Sequence, residues 1–222
     1  MRVMHQTSNR VTKKCRAFQW NCLRVLFILS FFHSFIFMTS CSEEDATEDE
    51  FSDWQARNEQ YFADLETKYQ ADKAHWRKLK SITKDERSEG KATDYIYAYI
   101  AEPQATADTL SPASTDSVLV MYQGRLIPSK NYAEGKVFEG TTQGTYDVKT
   151  NAAVKFVVSG LKDGFATALQ YMHKGDTWRI YVPWDLGYGE QGNSTIPGYS
   201  VLIFDITLVE FCHAGESLPK WS

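Results

Sequence analysis

The residues that could do chemistry lie in the last third of the chain, between Gly160 and Phe211. Tyr188 stands there on a glycine-flanked loop, VPWDLGYG, beside apolar residues. The stretch contains no nucleophile paired with a base and no cluster of metal ligands. Such a loop can bind an apolar group and offer it one or two hydrogen bonds. These residue types therefore predict a reaction that needs no covalent intermediate.

Motifs of other catalytic classes are absent or lack the context they need. The sequence has no HExxH, no GxSxG and no phosphate-binding loop, and its five histidines do not form ligand pairs at useful spacing. Residues 187–192, GYGEQG, match GxGxxG, but the NSTIPG that follows cannot form the helix whose amides bind a pyrophosphate. We therefore expect no metal, no dinucleotide and no other cofactor.

The elements that must position this loop are predicted from apolar periodicity. A short helix is predicted over 165–172, because its apolar side chains fall on one face. The stretch 130–150, around Val137 and Phe138, is predicted to be a long loop. The segments that alternate as strands are 95–101, 117–126, 153–158, 177–182 and 201–211. The fold class is therefore α+β, a curved antiparallel sheet of about five strands wrapped on one short helix.

An N-terminal helical segment is predicted to precede this domain. Apolar and aromatic residues recur over 51–82 at steps of mostly three, four or seven, which is the period of one helix face. The pattern favours one long amphipathic helix or two short ones, within a segment 51–92 that comes before a domain at 93–212 and a tail at 213–222. Its apolar stripe either covers its own domain, which is the favoured interpretation, or forms a homodimer.

Four segments, taken in order, resemble the FK506-binding-protein (FKBP) family of peptidyl-prolyl cis-trans isomerases. They are VLVMYQGRL, DGFATALQYMHKGD, VPWDLGYG and IPGYSVLIFDITLVE, and together they cover roughly Ser117 to Phe211. The resemblance implies an enzyme that isomerises X-Pro bonds of polypeptides without covalent or metal catalysis. The alternative is an FKBP-like chaperone or peptide-binding module with little or no turnover.

The resemblance also implies a role for each position of the pocket. Aromatic residues would wall the proline ring, with Phe165 as its floor, and the Tyr188 hydroxyl would donate a hydrogen bond to a peptide carbonyl. Backbone amides near Leu161 and Lys162 would serve the ligand, and a macrolide could occupy the same pocket. The remaining positions are Tyr122, Phe138 and Phe204 in the wall, Ile196 at the rim, Glu139 where the family usually has Asp, and Val154 where an aromatic residue is typical.

The N-terminal sequence is typical of an export signal. Residues 1–24 are basic without an acidic side chain, and the apolar run 25–38 is too short to span a bilayer comfortably. The following MTSC resembles a bacterial lipobox, which implies that Cys41 is acylated and that residues 1–40 are removed. A cleaved secretory signal with an incidental cysteine is the alternative.

The remainder of the chain is acidic. Six of the 24 basic side chains and none of the 28 acidic ones lie in residues 1–40, so the rest carries a formal charge of −10. Nucleic acid is therefore not an expected partner, because affinity for it comes mainly from Lys and Arg on phosphates. Residues 41–50 form an acidic tether, either a spacer or a surface-export tag. The expected location is the cell envelope, with attachment to the membrane through the lipid.

Overall fold

The computed structural model describes residues 50–102, 110–142 and 152–218. The predicted signal peptide, Cys41 and nearly all of the acidic tether lie outside these residues. Within the described ranges, no helix combines the length and apolar character needed to cross a membrane.

The described residues form the elements α1 (Trp54–Ala71), β1 (Trp76–Lys80), β2 (Tyr95–Tyr99), β3 (Ser117–Arg125), β4 (Val137–Gly140), β5 (Val154–Val157), α2 (Asp163–Tyr171), β6 (Thr177–Val182) and β7 (Leu202–Cys212). These seven strands form one antiparallel sheet, in the order β1-β2-β6-β7-β3-β4, with β5 paired to β3 beside β4. Strand β7 pairs with β3 on one side and β6 on the other, so the longest apolar alternation of the sequence lies at the centre of the sheet. The fold class and the antiparallel sheet predicted from the sequence are confirmed.

Helix α2 lies on the inner face of the sheet, as the apolar pattern over 165–172 predicted. Its residues 164–169 are all buried. Helix and sheet come unusually close at Gly164, where an added Cβ would lie 2.3 Å from Val182 Cγ1. A side chain at that position would push α2 off the sheet, and the floor of the pocket described below would move with it.

Helix α1 covers part of the opposite face of the sheet. Leu65 is fully buried there, and the Phe62 ring packs edge-on against Tyr97, with ring centroids 5.3 Å apart. At the start of the helix, Trp54 Nε1 donates a hydrogen bond to Ser200 Oγ (2.9 Å). The apolar stripe of α1 is therefore buried against the sheet of its own chain, which is the interpretation that the sequence favoured.

Two predicted elements are corrected by the structure. The helix expected over 51–82 ends at Ala71, and Trp76 and Leu79 belong to β1, which pairs with β2 from Trp76↔Tyr99 to Lys80↔Tyr95. The three-residue step between Trp76 and Leu79 fits a helix. In the structure, the backbone N–H and C=O groups of this segment instead form hydrogen bonds with β2, at the edge of the sheet. The predicted loop 130–150 contains β4, which is only four residues long and therefore leaves little alternation to detect.

Candidate active site

A pocket of about 410 Å³ opens on the inner face of the sheet, beside the start of α2. Strand β7 supplies Phe204, β3 supplies Tyr122, and the loop after β6 supplies Tyr188. The turn before α2 closes one side. The lining residues are Tyr122, Glu139, Phe156, Gly160, Leu161, Lys162, Asp163, Phe165, Tyr188 and Phe204. We call this the aromatic pocket.

Three buried aromatic rings form the floor and one wall of the aromatic pocket. Phe165 contacts Phe204 edge-to-face with ring centroids 5.1 Å apart, and it contacts Tyr122 in the same way at 5.6 Å. All three side chains are at most 7% exposed. Edge-to-face packing fixes the rings against one another and against the core. The floor is therefore rigid, apolar and shaped before any ligand arrives.

The Tyr122 hydroxyl is held by Glu139. It donates a hydrogen bond of 2.5 Å to Glu139 Oε1. Burial, together with this carboxylate, raises the pKa of Tyr122 above its ordinary value, so the phenol stays protonated. The longer carboxylate that stands where Asp is usual thus still reaches the pocket, where it fixes the orientation of one aromatic ring.

Tyr188 presents the polar group that remains available for a ligand. Its ring is partly buried, and among the described residues its hydroxyl has no hydrogen-bond partner. Burial and, secondarily, the charge of Glu139 raise its pKa, which keeps it a neutral donor. Lys162 Nζ lies 4.8 Å from the centroid of the Tyr188 ring and steadies it through a cation–π contact.

The turn before α2 determines which backbone amide can serve a ligand. The Leu161 N–H donates to the Val158 carbonyl (3.1 Å) and so closes a 3₁₀ turn, which occupies that amide. Helix α2 begins two residues later, at Asp163, and the first amides of a helix have no acceptor within it. Of the two amides implied by the family resemblance, we therefore expect the one of Lys162 to meet a ligand carbonyl.

Val154 lies outside the aromatic pocket, and Phe156 takes the place expected of it. Both residues are on β5, two positions apart, so their side chains point to the same face. Val154 pairs with Val120 and packs against the core. The Phe156 ring contacts Tyr122 with centroids 5.9 Å apart and lines the pocket. Phe156, two residues after Val154 on the same strand, therefore supplies the aromatic side chain that Val154 lacks.

Phe138 and Ile196 line a second cavity of about 320 Å³ that adjoins the aromatic pocket. Phe138 is left unpaired in the register of β4 with β3, which is a β-bulge, and its ring contacts Phe204 edge-to-face at 5.6 Å. An added Cβ at Gly124 would lie 2.7 Å from both rings, so only glycine permits this contact. The second cavity is lined by Phe51, Lys136, Val137, Phe138, Asn193, Ser194, Thr195, Ile196 and Pro197.

The comparison with known families agrees with this geometry. The sequence profile of the FKBP-type peptidyl-prolyl cis-trans isomerases matches residues 109–209, a range that runs from before β3 into β7. This part of the chain is an FKBP domain. The match includes every residue that lines the aromatic pocket, whereas α1, β1 and β2 precede it.

Relatives of this chain include two bacterial proteins. The FKBP-type 22 kDa peptidyl-prolyl cis-trans isomerase of Escherichia coli (strain K12) is 36% identical over 100 residues, 45% of this chain and 43% of that protein. The outer membrane protein MIP of Legionella longbeachae is 30% identical over 165 residues, 68% of this chain and 66% of that protein. The chain spans about half the length of the curated relatives it matches.

A solved structure extends the likeness of fold beyond the FKBP domain. The crystal structure of FkpA from Escherichia coli superimposes with a TM-score of 0.52, covering 94% of this chain and 96% of that one. The sequences of the two proteins are 18% identical over the superposition, so the likeness concerns the fold alone.

Proposed function

We propose that this protein is a peptidyl-prolyl cis-trans isomerase that acts on X-Pro bonds of polypeptides. The observation that carries the proposal is the aromatic pocket, whose rigid apolar floor lies beside the Tyr188 hydroxyl, a donor without a hydrogen-bond partner among the described residues. Its three buried rings suit a pyrrolidine ring, and its donor suits a carbonyl of the same peptide. The FKBP domain supports the same activity.

The chemistry of the X-Pro bond needs what this pocket offers. Rotation breaks the conjugation of the amide, with a barrier of about 18–20 kcal/mol, and uncatalysed exchange takes tens to hundreds of seconds. In the twisted amide, the carbonyl and nitrogen lose their resonance charge separation. A pocket of low polarity therefore stabilises the twisted form relative to water, and each 1.4 kcal/mol of such preference is about tenfold in rate. A proton-transfer group is not required.

A peptide-binding module with little turnover is the second candidate, and one contact favours it. The Tyr122 hydroxyl is already engaged by Glu139, so it does not offer a second donor to the peptide. If the twisted amide needs a second hydroxyl donor beside Tyr188, the pocket binds proline segments but accelerates their exchange weakly. This candidate shares the pocket and differs from the first only in turnover.

Isomerisation of a proline tetrapeptide separates the two candidates. Exchange is followed by protease coupling and, without protease, by NMR line exchange at equilibrium. We expect the purified chain to raise the exchange rate in proportion to its concentration. If the exchange rate equals that in buffer while the same peptide binds in a titration, the protein is a peptide-binding module and the proposal of an isomerase is wrong.

We propose further that the protein is an exported lipoprotein of the cell envelope, acylated at Cys41. The support is the basic and apolar N-terminus with its MTSC sequence, together with a relative named as an outer membrane protein. The clients would then be envelope or secreted proteins that contain proline. Mass spectrometry of the mature N-terminus tests the proposal, because an unmodified residue 41 contradicts it.

Two further partners follow from the same surfaces. A macrolide that carries a proline-like ring would enter the aromatic pocket and compete with the peptide, which a competition titration measures. A homodimer through α1 would have to use the outward side of the helix, because the stripe with Phe62 and Leu65 is buried within the chain. Sedimentation of the purified protein at several concentrations tests for it.

A further inference from the structure

Strand β1 leaves one of its two sides without a partner strand. It pairs with β2 on the other side, and no further strand in the described ranges pairs with it. The His75 carbonyl accepts a hydrogen bond from the Ile100 N–H (2.9 Å), and the Ser81 N–H donates to the Asp94 carbonyl (2.8 Å). Both bonds continue the register of β1 with β2, so every second residue between them directs its N–H and C=O toward β2.

The intervening residues of β1, which are Trp76, Lys78 and Lys80, therefore direct their backbone groups away from the sheet. The backbone of Trp76 is engaged within the chain, because its N–H donates to the Asp72 carbonyl (3.0 Å) and its carbonyl accepts from Arg77 Nη1 (2.9 Å). Lys78 and Lys80 direct their N–H and C=O groups outward, where the described part of the chain places no strand. Both residues are partly exposed. We call the stretch from Lys78 to Lys80 the free edge of β1.

The free edge lies in a basic part of an otherwise acidic protein. Residues 68–91 hold eight basic and four acidic side chains, whereas the chain without the predicted signal peptide carries a formal charge of −10. Lys78 is neutralised, since its Nζ lies 2.6 Å from Glu66 Oε2. Lys80 and Arg77 form no ion pair with the described residues, and their cationic groups donate to backbone carbonyls instead. Two cations beside the edge are thus left without a carboxylate partner.

The charge of the free edge determines which strand can pair with it. An open edge binds another extended chain through main-chain hydrogen bonds. A second copy of β1 is a poor partner, because pairing two such edges places lysine opposite lysine, which is destabilising. Lysines on edge strands protect proteins from that self-association. The same lysines attract a strand of opposite charge, so the edge favours an acidic segment of another polypeptide.

The side chains of β1 also specify the sequence of an antiparallel partner. Residues directly opposite each other in a ladder share a face of the sheet. An acidic side chain suits the position opposite Lys80, and a neutral one suits the position opposite Lys78, where Glu66 already supplies a carboxylate. Between them, an apolar side chain suits the position opposite Leu79, which packs against the core. A second acidic side chain opposite Arg77 completes the pattern, which is acidic, apolar, neutral, acidic.

We propose that the free edge of β1 binds an extended acidic segment of a client polypeptide, which joins the sheet as a further strand beside β1. The segment residues opposite Lys78 and Lys80 each donate one backbone hydrogen bond to the edge and accept one from it. The acidic side chains meet Lys80 and Arg77. This site is separate from the aromatic pocket, none of whose lining residues belongs to β1. The segment needs no proline, so the proposal does not depend on isomerase activity.

The test uses the full chain and fluorescent, proline-free peptides that contain the sequence Glu-Val-Thr-Glu between serine and threonine residues. A matched peptide has Gln in place of both Glu residues. The Kd of each peptide is measured by fluorescence anisotropy. We expect the Glu peptide to bind about tenfold more tightly than the Gln peptide at low salt, and about twofold or less in about 0.5 M NaCl, because salt screens exposed charges.

Methylation of the peptide backbone tests whether the peptide is added as a strand. In the proposed pairing, the N–H groups of the first Glu and of Thr face the edge, whereas those of Val and of the second Glu face solvent. Methylation of the first two nitrogens should weaken binding about tenfold or more, because two hydrogen bonds are lost. Methylation of the other two should change Kd by less than about twofold.

Two protein variants assign the binding to the free edge. Lys80→Gln keeps the backbone N–H and removes the charge, so it should weaken binding of the Glu peptide about threefold and leave the Kd of the Gln peptide unchanged. The matched variant Lys155→Gln, at an exposed lysine of strand β5, should leave the Kd of both peptides unchanged. Circular dichroism checks that both variants fold.

Several results would overturn the proposal. Equal Kd values for the Glu and Gln peptides refute recognition of an acidic segment, and equal Kd values for the two methylated peptides refute strand addition. The same loss in Lys80→Gln and Lys155→Gln refutes the assignment to β1. If no peptide binds, the lysines of β1 only protect the edge from association, and the proposal is wrong.

Two competition experiments separate this site from other occupants and from the proposed function. If the Glu peptide displaces a prolyl tetrapeptide, it binds in the aromatic pocket and not at β1. If it dissociates dimers of the chain seen in sedimentation, a second copy and not a client occupies the edge. An absence of isomerase activity together with the expected Kd values refutes the proposed function and leaves the binding of the acidic segment established.

Discussion

The removal of one oxygen atom from Tyr188 is the sharpest test of the proposed chemistry. Its hydroxyl has no partner among the described residues, so Tyr188→Phe leaves no buried group unsatisfied and opens no cavity. A neutral hydrogen bond contributes about 0.5–1.5 kcal/mol. If Tyr188 donates to the peptide carbonyl in the transition state, kcat/KM should therefore fall about two- to thirteenfold, with an unchanged free energy of unfolding.

The pH dependence of the reaction gives an internal check. The pKa of Tyr188 is raised above its ordinary value of 10.0 by burial and by the charge of Glu139, so the phenol remains a donor at neutral and mildly alkaline pH. We therefore expect the ratio of wild-type to Tyr188→Phe kcat/KM to be flat from about pH 6 to about pH 9. The assay is protease-coupled isomerisation, with NMR exchange as a second readout.

The matched control is Tyr171→Phe. Tyr171 is 43% exposed at the end of α2 and does not line the aromatic pocket. Its hydroxyl should not affect kcat/KM. If Tyr188→Phe retains the kcat/KM of the wild type, or if Tyr171→Phe shows the same loss, the assignment of Tyr188 as the donor is wrong.

Two further predictions concern how α1 is attached to the sheet. Asn58 is fully buried and accepts a hydrogen bond from the Val201 amide (2.8 Å), so Asn58→Ala should lower the free energy of unfolding, measured in urea, by about 2–4 kcal/mol. The control Gln55→Ala, at an exposed position of the same helix, should lower it by less than about 0.5 kcal/mol. Equal losses in the two variants would contradict the prediction. Hydrogen bonds from Lys78 and Tyr97 lower the pKa of Glu66 from 4.5 to about 2, so its carboxylate stabilises the fold above about pH 4.5 and loses that effect as the pH falls toward 2. The Tm of Glu66→Gln should thus be lower than that of the wild type at pH 7, by the equivalent of about 1 kcal/mol, because the site is partly exposed. The Tm values of the two proteins should converge near pH 2. A difference in Tm that stays constant with pH would contradict the assignment.

The sequence predicted the centre of the fold better than its edges. Strand β7 and helix α2 have long, regular apolar patterns, and each lies where its pattern indicates. Strand β1 was predicted as helix because the three-residue step from Trp76 to Leu79 fits the period of a helix, whereas in a strand it puts the two side chains on opposite faces. Only its pairing with β2, a contact that no local window contains, decides in favour of a strand.

The residues of the candidate site were predicted correctly where the chain keeps the spacing of the family. They were missed where the direction of a side chain depends on the local backbone conformation. The rings of Phe165 and Phe204 lie in the aromatic pocket because helix and strand periods fix their faces. The bulge at Phe138 could not be predicted, since an unpaired residue changes the direction of a side chain without a clear sequence signal. The role of Phe156 could have been found, because it lies one strand period beyond Val154 and is aromatic.

The position of β7 in the sheet has a consequence for the order in which the protein folds. This strand joins β3 to β6, and the residue just before it, Val201, is hydrogen-bonded to Asn58, 143 positions away. Contacts between residues so far apart in sequence form slowly, because a long loop must close first. Helix α1 is synthesised early, but its hydrogen bonds from Trp54 to Ser200 and from the Val201 amide to Asn58 cannot form until the segment before β7 exists. Trp54 and Asn58 lack these partners until then, so the start of α1 in the newly made chain has a long interval in which a folding helper can bind it.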